Sequence, residues 1–142
     1  MTIQIAKTDT EIKQCFPVIV QLRPTLSEGA FLDQVKRQQQ SGYHLAFLID
    51  NNQVKTVAGF RISESLSWKK FLYVDDFITD ADSRSNGYGD KMFDWLVAYA
   101  KSQQCNQLHL DSGVQRFEAH RFYLRKRMYI YAHHFTMQLD EG

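Results

Sequence analysis

Cysteine is scarce in this chain of 142 residues, and long apolar runs are absent. Its two cysteines, Cys15 and Cys105, lie far apart and form no CxxC pair, which argues against a disulfide scaffold and against a cysteine-based metal or redox site. No stretch approaches the roughly 20 apolar residues of a membrane span, and the N-terminus lacks the basic and apolar regions of a signal peptide. We therefore expect a soluble cytoplasmic protein with no metal site and no membrane partner.

A strong excess of charge of either sign is also missing. The 17 basic and 16 acidic residues leave a formal charge of +1. Nucleic-acid binders usually carry a larger basic excess or a basic stripe, so no nucleic-acid partner is expected. Hydrophobic residues make up 44% of the chain, which is enough for one core, and residues 1–142 are predicted to form a single domain.

Hydrophobic periodicity alternates along the chain between the helical and the strand pattern. It predicts, in order, a strand, two helices, three strands, a helix, a strand, a helix and a final strand. The predicted bounds are 3–5, 8–22, 27–40, 44–50, 54–62, 71–79, 87–100, 108–110, 117–126 and 129–139. This order predicts an α/β fold with a mixed, mostly antiparallel central sheet and helices on both of its faces.

The turn between the strand that ends at Thr79 and the next helix holds the most specific motif. It runs Arg84-Ser85-Asn86-Gly87-Tyr88-Gly89. Free N–H groups at a helix N-terminus attract anions, and glycine lets a phosphate approach the backbone closely. A dinucleotide fingerprint would need a third glycine, and a P-loop would need a Lys-Ser/Thr pair that Asp90-Lys91 does not supply. The motif therefore predicts a diphosphate site, with a tight turn that binds no ligand as the alternative.

This R-x-x-G-x-G pattern between a strand and an amphipathic helix resembles the acetyl-CoA motif of the GNAT superfamily of N-acetyltransferases. Residues 71–78, FLYVDDFI, resemble the corresponding strand of spermidine/spermine acetyltransferases, and residues 119–123, AHRFY, resemble the A-x-x-F-Y helix of many members. The predicted order of elements is similar to the GNAT fold over nearly the whole chain. The resemblance implies one GNAT domain over residues 1–142, with acetyl-CoA as co-substrate and with an amine acceptor, which is either a small molecule or a protein amine. A homodimer is also common in the family.

The resemblance also implies where the co-substrate binds. The backbone of Phe77, Ile78 and Thr79 would pair with the pantetheine arm where two strands splay apart. The diphosphate would then be held by backbone amides of the turn and of the first helical residues. These are Arg84, Ser85, Asn86, Gly87, Tyr88, Gly89 and Asp90.

Acetyl transfer to an amine needs a base for the amine, donors for the carbonyl oxygen and an acid for the leaving thiolate. Tyr123 stands where the family has its general acid, and a phenol with a pKa near 10 keeps its proton at neutral pH. A backbone N–H near Phe77 or Ile78 can donate to the carbonyl oxygen. Asp75 is the favoured base, acting through a water, and Asp76 is its rival.

The choice between the two carboxylates depends on the geometry of the strand. On an ideal strand they point to opposite faces, and Asp76 would then join the apolar face that holds Leu72, Val74 and Ile78, where an unpaired carboxylate is costly. A bulge would exchange these positions. The alternative is that both carboxylates pair with basic neighbours and do no chemistry. For Tyr123, the alternative is that it is only an aromatic residue of the core.

One feature departs from the family pattern, and a pair of neighbouring histidines raises the question of a metal site. Many members have Gly-Phe shortly after the tyrosine, whereas this chain has Arg127-Met128, so we expect its last helix to be capped differently. His133 and His134 are neighbours, but adjacent strand residues point to opposite faces and make a poor chelating pair.

The sequence therefore predicts an acetyl-CoA-dependent N-acetyltransferase that moves the acetyl group to a primary amine by direct attack in a ternary complex. The second hypothesis is a non-catalytic acyl-CoA-binding or interaction module with the same fold.

Overall fold

A computed structural model describes residues 1–140 and divides the chain into two compact units, Met1–Leu110 and Asp111–Gly142. The first unit contains β1 (Thr2–Ile5), α1 (Asp9–Leu22), α2 (Glu28–Gln40), β2 (Tyr43–Asp50), β3 (Gln53–Ser65), β4 (Lys69–Thr79), a short 3₁₀ turn (Ala81–Ser83), α3 (Tyr88–Ser102) and β5 (Gln107–Leu110). The second unit contains α4 (Phe117–Arg125). Within the described residues, no helix is both long and apolar enough to cross a bilayer.

The sheet has five strands in the order β1-β2-β3-β4-β5. The first four are antiparallel neighbours, and β5 runs parallel to β4. A parallel pair needs a long crossover, and α3 provides it. The predicted mixed and mostly antiparallel sheet is therefore confirmed.

Helices cover both faces of this sheet, as the hydrophobic pattern predicted. Residues of α1 and α2 pack on one face around Leu45, Phe47 and Val57. Residues of α3 pack on the other face around Leu48 and Phe60. The first of these is called the α1/α2 face below, and the second the α3 face.

The starts of α1 and α2 follow from their capping residues. Thr8 caps α1 by accepting a hydrogen bond from the Glu11 N–H, and the Glu11 carboxylate accepts one from the Thr8 N–H, which makes a capping box. Ser27 caps α2 by accepting from the Ala30 N–H at 3.3 Å. These caps fix where both helices meet the sheet.

The end of α4 shows how the chain replaces the glycine that the family pattern favours. Arg127 adopts the left-handed conformation, with φ of 72°. Its N–H donates to the Leu124 carbonyl at 3.0 Å, and the Met128 N–H donates to the Tyr123 carbonyl at 3.1 Å. This pair of bonds is a Schellman motif with arginine at the position where glycine is usual.

The predicted final strand at 129–139 is wrong. In the part of the chain that the structure describes, β5 is the last strand. The alternation of apolar residues in 129–139 satisfies the strand pattern, but a strand also needs a neighbour that pairs with its backbone. The segment follows α4 without joining such a pair.

Candidate functional site

The turn between β4 and α3 is held in place by α1. The Gln21 side-chain amide donates to Asp80 Oδ1 at 2.8 Å, and its oxygen accepts from the Ala81 N–H at 2.9 Å. The Asp80 N–H in turn donates to the Lys55 carbonyl at 2.7 Å. The first residues after β4 are therefore tied both to a helix and to a strand.

Further hydrogen bonds inside the turn make it rigid. The Ser83 hydroxyl donates to Asp80 Oδ2 at 3.1 Å, and the Asn86 side chain donates to the Ser83 carbonyl at 2.9 Å. Bonds from Gln21 first, and then from Ser83, hold the pKa of Asp80 below its ordinary value. The loop is thus organised by its own side chains, so a ligand would meet little ordering cost there.

Helix α3 is preceded by a glycine, and no side chain caps its N-terminus. Gly87 is the N-cap, has φ of 78° and makes no side-chain cap hydrogen bond. A Cβ built on Gly87 would meet no atom within 4 Å, so this side of the backbone faces open space. Ser85, two residues earlier, also has a positive φ, at 67°. Turn conformations of this kind before a helix can bring backbone N–H groups into a concave arrangement that binds anions.

A hydrogen bond also joins the start of α3 to the sheet. The Tyr88 hydroxyl donates to Asp50 Oδ2 at 2.8 Å, which joins the first residue of α3 to the end of β2. This hydrogen bond raises the pKa of Tyr88 and lowers that of Asp50. The uncapped N-terminus of α3 is therefore held in place by the end of β2.

A β-bulge in β4 determines where the two candidate carboxylates point. Gly59 on β3 lies opposite Asp76, but the next residue, Phe60, lies opposite Val74. Asp75 is thus the extra residue, and the facing of β4 reverses at it. The ideal-strand expectation for Asp76 is therefore corrected: Asp76 leaves the face of Leu72 and Val74, which pack on the α3 face, and instead points to the α1/α2 face.

Asp76 is held by two side chains on the α1/α2 face. The buried Tyr43 hydroxyl donates to its Oδ2 at 2.7 Å, and Arg23 Nε donates to its Oδ1 at 3.1 Å. Burial first, and then the charge of Asp76, raises the pKa of Tyr43 well above its ordinary value. The phenol thus stays protonated and keeps donating to the carboxylate.

This contact requires a glycine at the bulge. A Cβ on Gly59 would lie 1.7 Å from Tyr43 Oη and 2.8 Å from Asp76 Oδ2. No ordinary contact is that short, so any larger residue would displace the buried tyrosine. Because Gly59 has no side chain, it leaves the space in which the Tyr43 hydroxyl contacts Asp76.

Asp75 is paired as well, with a different arginine. Arg61 Nε and Nη2 donate to its two carboxylate oxygens at 2.7 and 2.9 Å, a bidentate pair. These hydrogen bonds raise the pKa of Arg61. Arg23 adds a bond from Nη2 to the Asp75 carbonyl at 3.0 Å. Each carboxylate therefore pairs with an arginine. Such pairing was expected under the alternative in which neither carboxylate acts as a base.

Asp76 lines a cavity of about 200 Å³ between α1, α2 and the sheet. Tyr43 lies beside it, and Arg23 stands at the same wall. The remaining walls are mostly apolar and include Ile19, Leu26, Phe31 and Val35. The arrangement places one carboxylate in the wall of a small, partly open cavity that Thr25, Gln34 and Gln38 also line.

Tyr123, the predicted acid, belongs to the second unit, whereas the other predicted site residues belong to the first. It lies in α4 and is buried. Burial raises the pKa of its phenol, and the nearby charge of Arg116 opposes that rise. Tyr123 is therefore protonated at neutral pH.

The ten residues predicted to bind the co-substrate lie at the end of β4, in the turn that follows it and in the first turn of α3. Several residues that shape this site were not singled out from the sequence for that role. They are Gln21, Arg23, Asp50, Gly59 and Arg61. Only Gly59 carried a recognisable signal, because a lone glycine inside a strand pattern often marks a bulge or a close approach.

Comparisons with known proteins agree with this fold. Residues 7–128 match the model of the acetyltransferase (GNAT) family. An uncharacterized N-acetyltransferase of Bacillus subtilis, YhdJ, is 30% identical over 117 residues, which is 82% of each chain. A GNAT family acetyltransferase of Staphylococcus aureus superposes with a TM-score of 0.81 at 18% identity and covers 97% of this chain and 98% of its own. Glucosamine-6-phosphate N-acetyltransferase of Arabidopsis thaliana gives a TM-score of 0.75 at 18% identity, with 99% and 100% covered.

Proposed function

Since the chain belongs to the GNAT family of acetyltransferases and is an N-acetyltransferase, we propose that it moves the acetyl group of acetyl-CoA to a primary amine by direct attack in a ternary complex. The observation that carries the proposal is the uncapped start of α3, where Gly87 opens the backbone to an anion. Acetyl-CoA supplies an activated thioester when bound. The remaining chemistry falls to the residues of the chain.

The turn before α3 suits the diphosphate of CoA. The backbone N–H groups of residues 84–90 hold it, while Gly87 leaves room for a phosphate oxygen. The bonds from Gln21 and Asn86 support this role because they fix the turn without a ligand. Phe77, Ile78 and Thr79, which follow the bulge, pair with the pantetheine arm, and a backbone N–H at Phe77 or Ile78 donates to the carbonyl oxygen as it gains charge.

We assign the acid role to Tyr123. A raised pKa keeps its proton available at neutral pH, as donation to a leaving thiolate requires.

For the base we favour Asp76 over Asp75. Asp76 lines the cavity, whereas Asp75 is not among the residues that line it and has both oxygens bound by the guanidinium of Arg61. The oxygens of Asp76 accept hydrogen bonds from Tyr43 and Arg23. Asp76 attracts the ammonium form of the acceptor and takes its proton through a water. Asp75 then has a positioning role, since its pair with Arg61 holds the bulge.

The cavity also limits the acceptor. At about 200 Å³ it is smaller than the roughly 300–1,000 Å³ of most ligand pockets. It therefore suits the end of a chain or a compact amine with an apolar body, either free or as part of a protein.

Both cysteines are free thiols, which supports a cytoplasmic location.

The decisive experiment measures release of free CoA from acetyl-CoA across a panel of aliphatic amines, aromatic amines, amino acids and peptides. We expect release with compact apolar amines above the rate of hydrolysis. Binding of acetyl-CoA without release for any amine would instead favour the non-catalytic module.

Variants assign the roles. Tyr123→Phe should lower turnover by about 10²-fold or more and leave the dissociation constant of acetyl-CoA within about twofold. Asp76→Asn should lower turnover more than Asp75→Asn, and the matched pair removes one charge in each case. A larger loss in Asp75→Asn would transfer the base role to Asp75, and unchanged turnover in Tyr123→Phe would remove the tyrosine from the mechanism.

A further inference from the structure

The cavity beside Asp76 has two opposite charges next to each other in its wall. Of the described residues that line it, only Asp76 and Arg23 are charged. Arg23 Nη2 lies 3.0 Å from Asp76 Oδ1, and the guanidinium is about half exposed whereas the carboxylate is mostly shielded. A ligand in this cavity therefore meets one negative and one positive group at the same place.

The guanidinium of Arg23 is held in position but keeps donors to spare. Its Nε donates to Asp76 Oδ1 at 3.1 Å, and its Nη2 donates to the Asp75 carbonyl at 3.0 Å. An arginine has five N–H donors in one plane, and these bonds do not use the two on Nη1. Those two N–H groups can bind a carboxylate, the anion that a planar guanidinium recognises best.

An amine without a carboxylate does not suit this pair of charges. Its ammonium form would approach Asp76 and would then lie close to the guanidinium that binds the same carboxylate. Like charges a few ångströms apart disfavour each other. A ligand that also has a carboxylate removes this conflict, because its ammonium pairs with Asp76 while its carboxylate pairs with Arg23.

The closeness of the two charges determines which amino acids fit. In an α-amino acid a single carbon joins the amine nitrogen to the carboxyl carbon, so the charges of the ligand are also adjacent. The N-terminus of a peptide has the ammonium but not the adjacent carboxylate. The apolar walls at Ile19, Leu26 and Phe31 suit an aliphatic side chain, and the volume of about 200 Å³ limits its size.

We propose that the acceptor is a free α-amino acid with a compact apolar side chain, whose ammonium pairs with Asp76 and whose carboxylate pairs with Arg23. This inference rests on the proposed acetyl transfer and names the substrate class of the same site. The ammonium first gives one proton to Asp76 through a water. The nitrogen then bonds to the acetyl carbon as the C–S bond of the thioester breaks, and a second proton from the nitrogen balances the thiol of the CoA that leaves.

Matched acceptors test the inference on the wild-type chain. Release of free CoA is measured with valine, leucine and methionine, and the most active of them is compared with its amide and with the amine that lacks the carboxyl group. We expect kcat/KM for the amino acid to exceed that of either analogue by about tenfold or more, as the loss of a hydrogen bond between charged groups implies. An analogue that matches the amino acid would overturn the inference and leave acetyl transfer standing. Release with other amines but with none of the three amino acids would do the same.

Arg23→Met and Arg37→Met form a matched pair of variants. Arg37 is exposed on α2 and is not among the residues that line the cavity, so both variants lose one positive charge but only the first changes the site. The preference for the amino acid over the amine that lacks the carboxyl group should fall by about tenfold or more in Arg23→Met and stay unchanged in Arg37→Met. A wild-type preference in Arg23→Met would overturn the inference. Thermal unfolding checks that both variants are folded, and Arg23→Lys, which keeps the charge without the planar fork, should retain part of the preference.

Calorimetric titration separates recognition of the amino acid from the chemistry. The three amino acids are titrated at millimolar levels into protein saturated with CoA, which has no acetyl group to transfer. We expect one or more of them to bind, with an affinity at least about tenfold above that of its amide. Binding of this kind without CoA release from acetyl-CoA would refute acetyl transfer and keep the assigned ligand. If none of the three amino acids binds, the inference is wrong.

Discussion

The turn before α3 and the bulge in β4 lie close together along the chain but are built in different ways. The turn is made mainly by neighbours in sequence, since Ser83 bonds to Asp80 and Asn86 bonds to Ser83. Gln21 and Lys55, which come from distant elements, bond to the start of the turn. The bulge is held by long-range partners, namely Arg23, Tyr43 and Arg61. A locally built site can be recognised as a motif, whereas a site built across the sheet has to be seen in the structure.

The largest effect should come from breaking the bulge with Gly59→Ala. The added Cβ would overlap the Tyr43 hydroxyl, which is 1.7 Å from its position, and the buried ring cannot move aside freely. We expect a loss of about 2–3 kcal/mol in the free energy of unfolding from overpacking and the lost hydrogen bond. Urea unfolding measures this change, and turnover should fall with it.

Gly29→Ala is the matched control for this prediction. Gly29 lies in α2 and has no atom within 4 Å of a built Cβ, so alanine should stabilise the helix by about 0.5–1 kcal/mol. Equal stability of the two variants would contradict the steric role of Gly59.

The corresponding change in the turn is Gly87→Ala, and it should act on the ligand more than on the fold. The built Cβ meets only open space, so the cost to folding is the strain of a positive φ, about 1 kcal/mol. The affinity for acetyl-CoA should fall by about tenfold or more, equivalent to about 1.4 kcal/mol, because the methyl group occupies the path of the phosphate. Calorimetric titration measures it.

Ser85→Gly separates strain from ligand binding in the same turn. Ser85 also has a positive φ, so glycine should relieve strain and raise stability slightly. If the affinity for acetyl-CoA is unchanged in Gly87→Ala, the proposal that this turn binds the diphosphate is wrong.

A smaller effect tests the strain argument outside both regions. Arg127→Gly places the usual residue at the left-handed position after α4, and we expect a gain of about 0.5–1 kcal/mol in stability. Thermal unfolding of this variant should be compared with that of Gly42→Ala, which introduces the same strain at φ of 97° and should lose stability. Changes of the same sign in both variants would contradict the strain argument.

The smallest effect concerns pH and the frame beneath both regions. His44 on β2 packs against Phe60, and burial lowers its pKa. Because the unfolded chain then binds the proton more readily, stability should be constant above the ordinary histidine pKa of about 6.5 and should fall as the pH drops below it. Chemical unfolding between pH 7.5 and about 5 measures this slope, which should be shallower in His44→Leu. An identical slope in that variant would assign the pH dependence to other groups.

The sequence was sufficient for most of the fold because its caps and periodicities are local. The helical spacing of apolar residues in 8–22 marked the first helix, and the glycines near 87 marked the start of α3. It could not place Asp76, because one extra residue in β4 reverses the facing of the strand and no local pattern distinguishes that residue. It also misjudged 129–139, since an alternating pattern does not ensure that a neighbouring strand is present to pair with the segment.

The bulge also limits how the chain can vary in length. Asp75 sets the parity of β4, so removing or adding one residue there would turn Phe77 and Ile78 onto exchanged faces and move apolar side chains away from their own layer. The β3–β4 turn, where Leu66 stands fully in solvent, has no such constraint. Insertions should therefore be accepted at the tip of this hairpin and rejected a few residues further on, where a single amino acid decides which side of the sheet each later residue serves.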